Sequence, residues 1–216
     1  MKVLVACEFS EVVKEQFLLR GHDAHSCDFL PGEKGLPNHH QCDVREILND
    51  GWDLMIAHPP CTHLSKAGGW CWKYKIKEQE QAFEFVKTLW EAPIERICIE
   101  NPVGWLNTNW QKPDQIIHPY YFSDPYLKET CLWLKGLQKL TYVLRDDMFY
   151  KSTATEPKAN WVKPGNIRNR RFNRVPEGGK GNSHDRSRFF TGIAVAMAEQ
   201  WGSLPVVSSP VGTKKE

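Results

Sequence analysis

Four short runs, at residues 2–6, 23–28, 53–57 and 96–99, all but the second of them apolar, constrain the fold of this chain more than any other feature. Each is too short for a helix and is bounded by turn residues, the pattern of a buried strand. Helical spacing fills the gaps between them. Residues 12–20 repeat Val12, Val13, Phe17 and Leu18 and stop at Gly21, while residues 77–90 set Phe83, Val86, Leu89 and Trp90 on one face. Cys42-Asp43-Val44 opens a further unit between the second and third runs. Strands alternating with helices predict an α/β fold with a mostly parallel, doubly wound sheet. Ligands of such sheets collect at the carboxyl ends of the strands, so residues just past each run are the functional candidates.

Cys61 is the foremost of them. It follows the run 53–57 on His58-Pro59-Pro60-Cys61, where two prolines without backbone donors end the strand and stiffen the loop. A thiolate held there by a neighbouring cation or helix terminus is a nucleophile; the plain reading of the same residue is a buried, inert thiol. Glu100 follows the run 96–99 in Ile97-Cys98-Ile99-Glu100-Asn101-Pro102. Partial removal from water raises a carboxyl group's affinity for its proton, which suits Glu100 to acid catalysis or to holding a protonated group. Acidic residues also close the earlier strands: Glu8 after the first, Asp28 after the second, then Asp43. Carboxylates at successive strand ends fit hydrogen bonding to ribose hydroxyls and an adenine amino group, although aspartate also favours turns for its own sake.

The bulk numbers exclude several classes. With 25% charged residues and a formal charge of +2, no global field demands a nucleic acid or an acidic membrane. Met1 to Ala6 is too short an apolar run for a signal peptide and no stretch reaches membrane-spanning length, so a cytoplasmic protein without membrane contact is expected. Seven cysteines, three of them (Cys7, Cys27, Cys98) in or beside apolar runs, suit reduced thiols rather than a disulfide framework. His58, Cys61 and His63, with His39, His40 and Cys42 upstream, lack the paired spacing of a tetrahedral site, so no metal is expected. The pair His39-His40 reads as a solvated turn.

Beyond residue 104 prolines 113, 119 and 125 break the chain, and residues 129–134 read as an edge strand. Residues 145–188 carry Lys158, Lys163, Arg168, Arg170, Arg171, Arg174, Lys180, Arg186 and Arg188 with Trp161 and Phe172 interleaved, and show no helix or strand period. Such a stretch is a solvated loop or a phosphate-binding surface. Residues 191–201 recover a helix whose apolar surface must pack on the core, and the tail from Ser203 reads as disordered. The expected organisation is a catalytic domain over 1–144, a basic loop-rich segment over 145–190, a returning helix over 191–202 and a tail over 203–216.

Pro60-Cys61-Thr62-His63-Leu64-Ser65-Lys66-Ala67-Gly68 resembles the Pro-Cys-Gln-x-Phe-Ser-x-Ala-Gly loop of the cytosine-C5 DNA methyltransferases, and Glu100-Asn101-Pro102 resembles their Glu-Asn-Val motif, in the same order. The resemblance implies a Rossmann-like, S-adenosylmethionine-dependent methyltransferase fold with helices on both faces of the sheet, in a compact member of the kind found in phages and prophages. It implies that Cys61 attacks C6 of a flipped cytosine in DNA, that Glu100 binds or protonates N3 with Asn101 beside it, and that C5 takes the methyl group. Base flipping costs a few kcal/mol in a duplex. Lys128, in Leu127-Lys128-Glu129-Thr130, is the nearest counterpart of the family's Gln-x-Arg-x-Arg strand. Cys7, Glu8, Phe9, Ser10, Asp28, Asp43, Val44 and Pro60 fall where that family holds its cofactor. Ser65, Lys66, Trp72, Lys73, Arg168, Arg170 and Arg171 are the candidate nucleic-acid contacts, with Trp70, Tyr74 and Lys75 alongside; the aromatics among them equally suit capping the next helix against the core.

The chain departs from the family in four places. Phe9-Ser10-Glu11 stands where the family has Phe-x-Gly-x-Gly, Thr62 replaces glutamine, and the separate target-recognition domain is missing or reduced to the basic loop. Gly181-Asn182-Ser183 resembles the family's last motif but is set apart from the following helix. These departures keep open the C5 modification of a free pyrimidine nucleotide, the amino-methylation of a base, and a non-catalytic nucleic-acid-binding protein on the same fold.

Overall fold

A computed structural model describes residues 1–124, 128–142 and 189–204. Its centre is a seven-stranded sheet: β1 (Lys2–Ala6), β2 (Asp23–Cys27), β3 (His39–His40), β4 (Leu54–Ala57), β5 (Arg96–Pro102), β6 (Gln115–Ile117) and β7 (Thr130–Lys135). The spatial order is β3-β2-β1-β4-β5-β7-β6. Strands β1 to β5 pair parallel, while β7 runs antiparallel to both β5 and β6. This is an α/β fold with a mixed, mostly parallel sheet.

The two-residue period of the strands divides the core into two layers. Val3 and Val5 of β1, Leu54 and Ile56 of β4, Cys98 of β5 and Leu132 of β7 share one layer with α1 (Val12–Leu18) and α4 (Thr191–Gly202), the latter contributing Ile193, Met197 and Trp201. Leu4 and Ala6, Met55 and Ala57, Ile97 and Ile99, and Cys131 and Trp133 point the other way. They pack on Val86 and Leu89 of α2 (Ile76–Trp90) and on Leu106 of the short α3 (Trp105–Asn109). Helices therefore cover both faces, and the α4 surface is buried as its composition predicts. Trp201 is fully buried and donates its ring N–H to the Gln138 carbonyl at 2.9 Å.

The four runs read from sequence are strands with shifts of a few residues; the run at 96–99 extends through Glu100 and Asn101 to Pro102. Two expectations fail. The composition of residues 129–134 predicts an edge strand, yet β7 lies between β5 and β6. Its run Thr130–Leu132 and Trp133 is buried because both faces are covered, which is also why it does not alternate. His39-His40 is an edge strand and not a solvated turn. Asp28 N–H bonds the His40 carbonyl, His39 Nδ1 lies 2.8 Å from Ser26 Oγ, and His40 Nε2 lies 2.9 Å from His25 Nδ1. The basic stretch 145–188 with Arg168, Arg170 and Arg171, the Gly181-Asn182-Ser183 motif and the tail beyond 204 lie outside the described residues. Among the described residues no helix is long and apolar enough to cross a membrane, and no group of three or more His, Cys, Asp or Glu side chains is placed to hold a metal.

Candidate active site

The strand order reverses at β1. From there the chain builds outward through β2 to β3, then returns to lay β4 against the other side of β1 and β5 beyond it. The chain leaves β1 toward β2 and β4 toward β5, so the carboxyl edge between β1 and β4 is the switch point, the crevice position at which doubly wound sheets bind ligands. Nearly every sequence candidate among the described residues falls on that edge.

Cys61 follows β4 and is exposed. The chain turns sharply after it, with the N–H groups of Leu64 and Ser65 both bonded to its carbonyl at 3.0 and 2.8 Å. Leu64 is buried and anchors the turn. The loop is also sewn to the end of β5: Trp105 N–H bonds the Leu64 carbonyl at 2.7 Å, Lys66 N–H bonds the Val103 carbonyl at 3.1 Å, and Ser65 pairs with Gly104. A Cβ on Gly104 would fall on the Leu64 carbonyl oxygen, so only glycine allows this approach. Four other thiols are of a different kind. Burial and Cys42 push Cys27 up to about 12, burial pushes Cys131 up to about 11, and burial with Asp28 and Glu100 raises Cys7 and Cys98 respectively. They are inert core thiols, as burial makes most cysteines.

Glu100 and His58 meet across adjacent strands. Ile56 pairs with Cys98, so two residues further on the same face carries His58 and Glu100. His58 Nδ1 lies 3.1 Å from Glu100 Oε2. Burial drives the Glu100 carboxyl up, as its sequence position predicts, but the His58 hydrogen bond and the Lys128 charge outweigh it and hold the group below its ordinary value. The raised affinity expected for Glu100 is thus reversed by partners that its own segment does not contain. Asn101, on the opposite face, donates Nδ2–H to the Pro59 carbonyl at 2.8 Å and fixes the proline turn before Cys61. Three buried polar atoms here have no hydrogen-bond partner: Glu100 Oε1, His58 Nε2 and Asn101 Oδ1. Buried polar atoms of native proteins are normally satisfied, so Glu100 Oε1 and His58 Nε2, on one face, are the atoms a ligand or a water would meet, while Asn101 Oδ1 lies on the other face.

The remaining catalytic and cofactor candidates divide. Lys128, next to β7, acts electrostatically on Glu100 and sits over the Phe190 ring at 5.4 Å. Glu8 turns inward: its carboxylate accepts the N–H groups of Val13 at 2.6 Å and Lys14 at 3.2 Å, capping α1. Phe9 and Ser10 are buried and Val44 is core, so that loop offers a ligand backbone rather than side chains. Cys7 adopts a left-handed conformation, φ +59°, at the crevice. Asp43 is taken up by Arg45, whose guanidinium and backbone bonds hold the carboxyl below its ordinary value. Asp28 Oδ1 accepts the Leu30 N–H and the residue is half-buried, and Pro60 is exposed.

Of the nucleic-acid candidates, Ser65 belongs to the Gly104 pairing, Lys66 and Lys73 are exposed, and Lys73 lies 4.8 Å from the Tyr74 ring in the 3-10 segment Lys66–Tyr74. Trp72 is half-buried with its ring N–H buried and unbonded, and Tyr74 is 73% exposed. A cavity of about 680 Å³ lined by Arg45, Lys77, Glu80, Gln81, Glu84, Phe85 and Thr88 borders α2 and includes none of the candidates.

Three residues of the site escape sequence reasoning. The local spacing of His58 raises only a metal ligand, because its real partner is set by strand register. Phe189 precedes α4 and packs its ring 4.6 Å from that of His58. Phe29, 72% exposed beside Asp28, offers an aromatic face at the end of β2; an aromatic next to a strand-end carboxylate is the one signal of it that the sequence holds. No protein-family model matches the chain, and no curated protein matches it.

Proposed function

We propose that this protein is a methyltransferase that modifies C5 of cytosine in DNA through a covalent bond to Cys61, with S-adenosylmethionine as methyl donor. The observation that carries the reading is an exposed cysteine on the loop after β4 together with a buried carboxylate on the adjacent strand β5 whose second oxygen is unsatisfied. A pyrimidine needs this combination. Addition of a thiolate at C6 puts negative charge on N3, which takes up a proton from water; the Glu100 carboxylate then holds that N3–H as its hydrogen-bond acceptor, and the resulting enamine is nucleophilic at C5.

The crevice suits the cofactor. Asp28 has the chemistry for ribose hydroxyls, Phe29 offers a ring face for a purine, and the inward-turned Glu8-Phe9-Ser10 loop leaves backbone groups at the reversal of strand order. Bound there, S-adenosylmethionine supplies the methyl group. The chain's own residues do the rest. Asn101 and the Gly104 pairing fix the loop that carries Cys61, Glu100 holds the ring nitrogen, and departure of Cys61 after C5 loses its proton restores the ring. Lys66, Lys73 and Tyr74 flank the loop on its exposed side and suit phosphates and an unstacked base.

The test is an oligonucleotide carrying 5-fluorocytosine, whose C5 fluorine cannot leave as a proton does. Wild-type protein with S-adenosylmethionine should form a covalent adduct with it, and Cys61→Ser should form none. Mass spectrometry of bases from DNA treated with the protein should find 5-methylcytosine. Full turnover by Cys61→Ser, or a methyl group on the exocyclic nitrogen, would overturn the C5 reading; turnover on a mononucleotide with no binding to any oligonucleotide would overturn DNA as the substrate.

A further inference from the structure

We propose that His58 is the positioning residue of Glu100, fixing one carboxylate oxygen by hydrogen bond so that the other alone is presented to the base. The proposal rests on the reading of Glu100 as the base-binding group.

Three observations support it. First, the contact is made between strands, not within a loop: the Ile56 and Cys98 register brings His58 and Glu100 onto the same face, and both side chains are nearly buried. Second, the contact is one-sided. His58 uses Nδ1 at 3.1 Å on Oε2, while Nε2 and Glu100 Oε1 are both buried and unpartnered. A carboxylate with one oxygen tied and one open is held in a single rotamer and presents a single acceptor. Third, the imidazole is itself wedged, with the Phe189 ring at 4.6 Å, and its backbone N–H continues the β4 pairing to the Ala6 carbonyl at 2.9 Å. His58 is thus held from two sides before it holds Glu100.

The charged groups around the pair come from every neighbouring strand. His58 and Lys14 of α1 both act on Glu8 at the end of β1, and Lys128 beside β7 acts on Glu100. The imidazole therefore acts on two buried carboxyl groups, Glu8 through space and Glu100 by direct contact, and the ammonium of Lys128 acts on the second of them. Burial raises the Glu8 carboxyl despite His58, so that Glu8 favours its proton while Glu100 favours its charge. The direct bond of His58 goes to Glu100, the member of the pair whose free oxygen is open to a ligand.

Two measurements separate this proposal from the function on which it rests. The first reads the pair without substrate: a carbon-13 titration of the Glu100 side-chain carboxyl in wild type, His58→Ala and His58→Asn. Asparagine keeps a donor at the position of Nδ1. In wild type the carboxyl should titrate below its ordinary range, His58→Ala should move it up, and His58→Asn should return it most of the way. An unchanged titration in His58→Ala overturns the proposal. The second is the rate of adduct formation with the 5-fluorocytosine oligonucleotide. His58→Ala should lower it by about a hundredfold, the cost of a misplaced reacting group, while S-adenosylmethionine affinity by calorimetry stays within about twofold. His58→Asn should recover most of the rate, and the Glu100→Gln, His58→Ala double variant should be no slower than Glu100→Gln alone. Equal losses in His58→Ala and His58→Asn, or additive losses in the double variant, overturn the positioning role. A wild-type protein that shows the depressed Glu100 titration and forms no adduct overturns the function and leaves the His58 contact intact.

Discussion

Glu11 has φ +55°, a left-handed conformation that side chains other than glycine rarely adopt, at the position where the family the loop resembles has glycine. The strain is held by the contacts of its carboxylate. Glu11 and Lys14 are both fully buried and paired at 2.5 Å, and the same carboxylate accepts the N–H groups of Lys34 and Leu36, which ties the loop after β2 over the start of α1. Burial drives this carboxyl up, but the Lys14 bond and the two backbone N–H groups outweigh it and leave it below its ordinary value. Removing one partner alone strands a buried charge, so Glu11→Ala should cost about 3–5 kcal/mol in chemical denaturation. Glu11→Gly with Lys14→Met relieves the backbone and removes the charge together, and should recover most of that loss. The pH dependence has a definite sign. A carboxyl depressed in the folded state stabilises above its unfolded value and loses that contribution as pH falls through the folded one. The acid limb of the stability profile should therefore be shallower in the double variant than in wild type, and an identical limb would show that Glu11 is not the group responsible.

Most elements are legible in the sequence because their patterns are local. Residues 12–18 repeat at helical spacing, and the strands at 2–6, 54–57 and 96–99 are short apolar runs between turn residues. Cys61 and Glu100 are legible for the same reason, each lying directly past such a run. What stays hidden depends on which strand lies beside which. β7 is apolar without alternation because two layers cover it, and the pairing of His58 with Glu100 needs the β4–β5 register. The α1 cap is equally hidden: it comes from Glu8, before the turn, and not from a residue at the helix start. Two predictions belong to this scale. Glu8→Ala removes the acceptor for two N–H groups of α1 and should cost about 1–2 kcal/mol, measured by urea denaturation. Gly104→Ala places a Cβ on the Leu64 carbonyl and should push the Cys61 loop off the end of β5. Its adduct rate should fall by about a hundredfold or more while the far-ultraviolet circular dichroism keeps its shape, since the strands do not depend on that approach.

The core of the molecule is closed by a helix that arrives late in the sequence. α4 shares a layer with α1, and the Asp124 carboxylate accepts the Gly192 N–H at 2.8 Å, so the segments on either side of residues 143–188 are joined through the core itself. Tyr142 packs against Tyr121 at 4.6 Å between ring centroids, and Phe189 belongs to the same apolar cluster. The two ends that flank the basic stretch are therefore both anchored on the same core layer. Closing a loop costs about 0.6 kcal/mol for each doubling of its length, so replacing residues 145–188 with a short Gly-Ser linker should change stability by no more than about 1–2 kcal/mol. Binding should respond quite differently. Each cation removed from a phosphate reduces the slope of log affinity against log salt by about 0.9 on duplex DNA, and about 0.7 on a single strand. Neutralising Arg168, Arg170 and Arg171 together should make that slope shallower by about 2–3, with cofactor affinity by calorimetry unchanged. An unchanged slope would assign DNA contact to Lys66, Lys73 and the other exposed groups beside Cys61, and would leave the basic stretch a solvated loop.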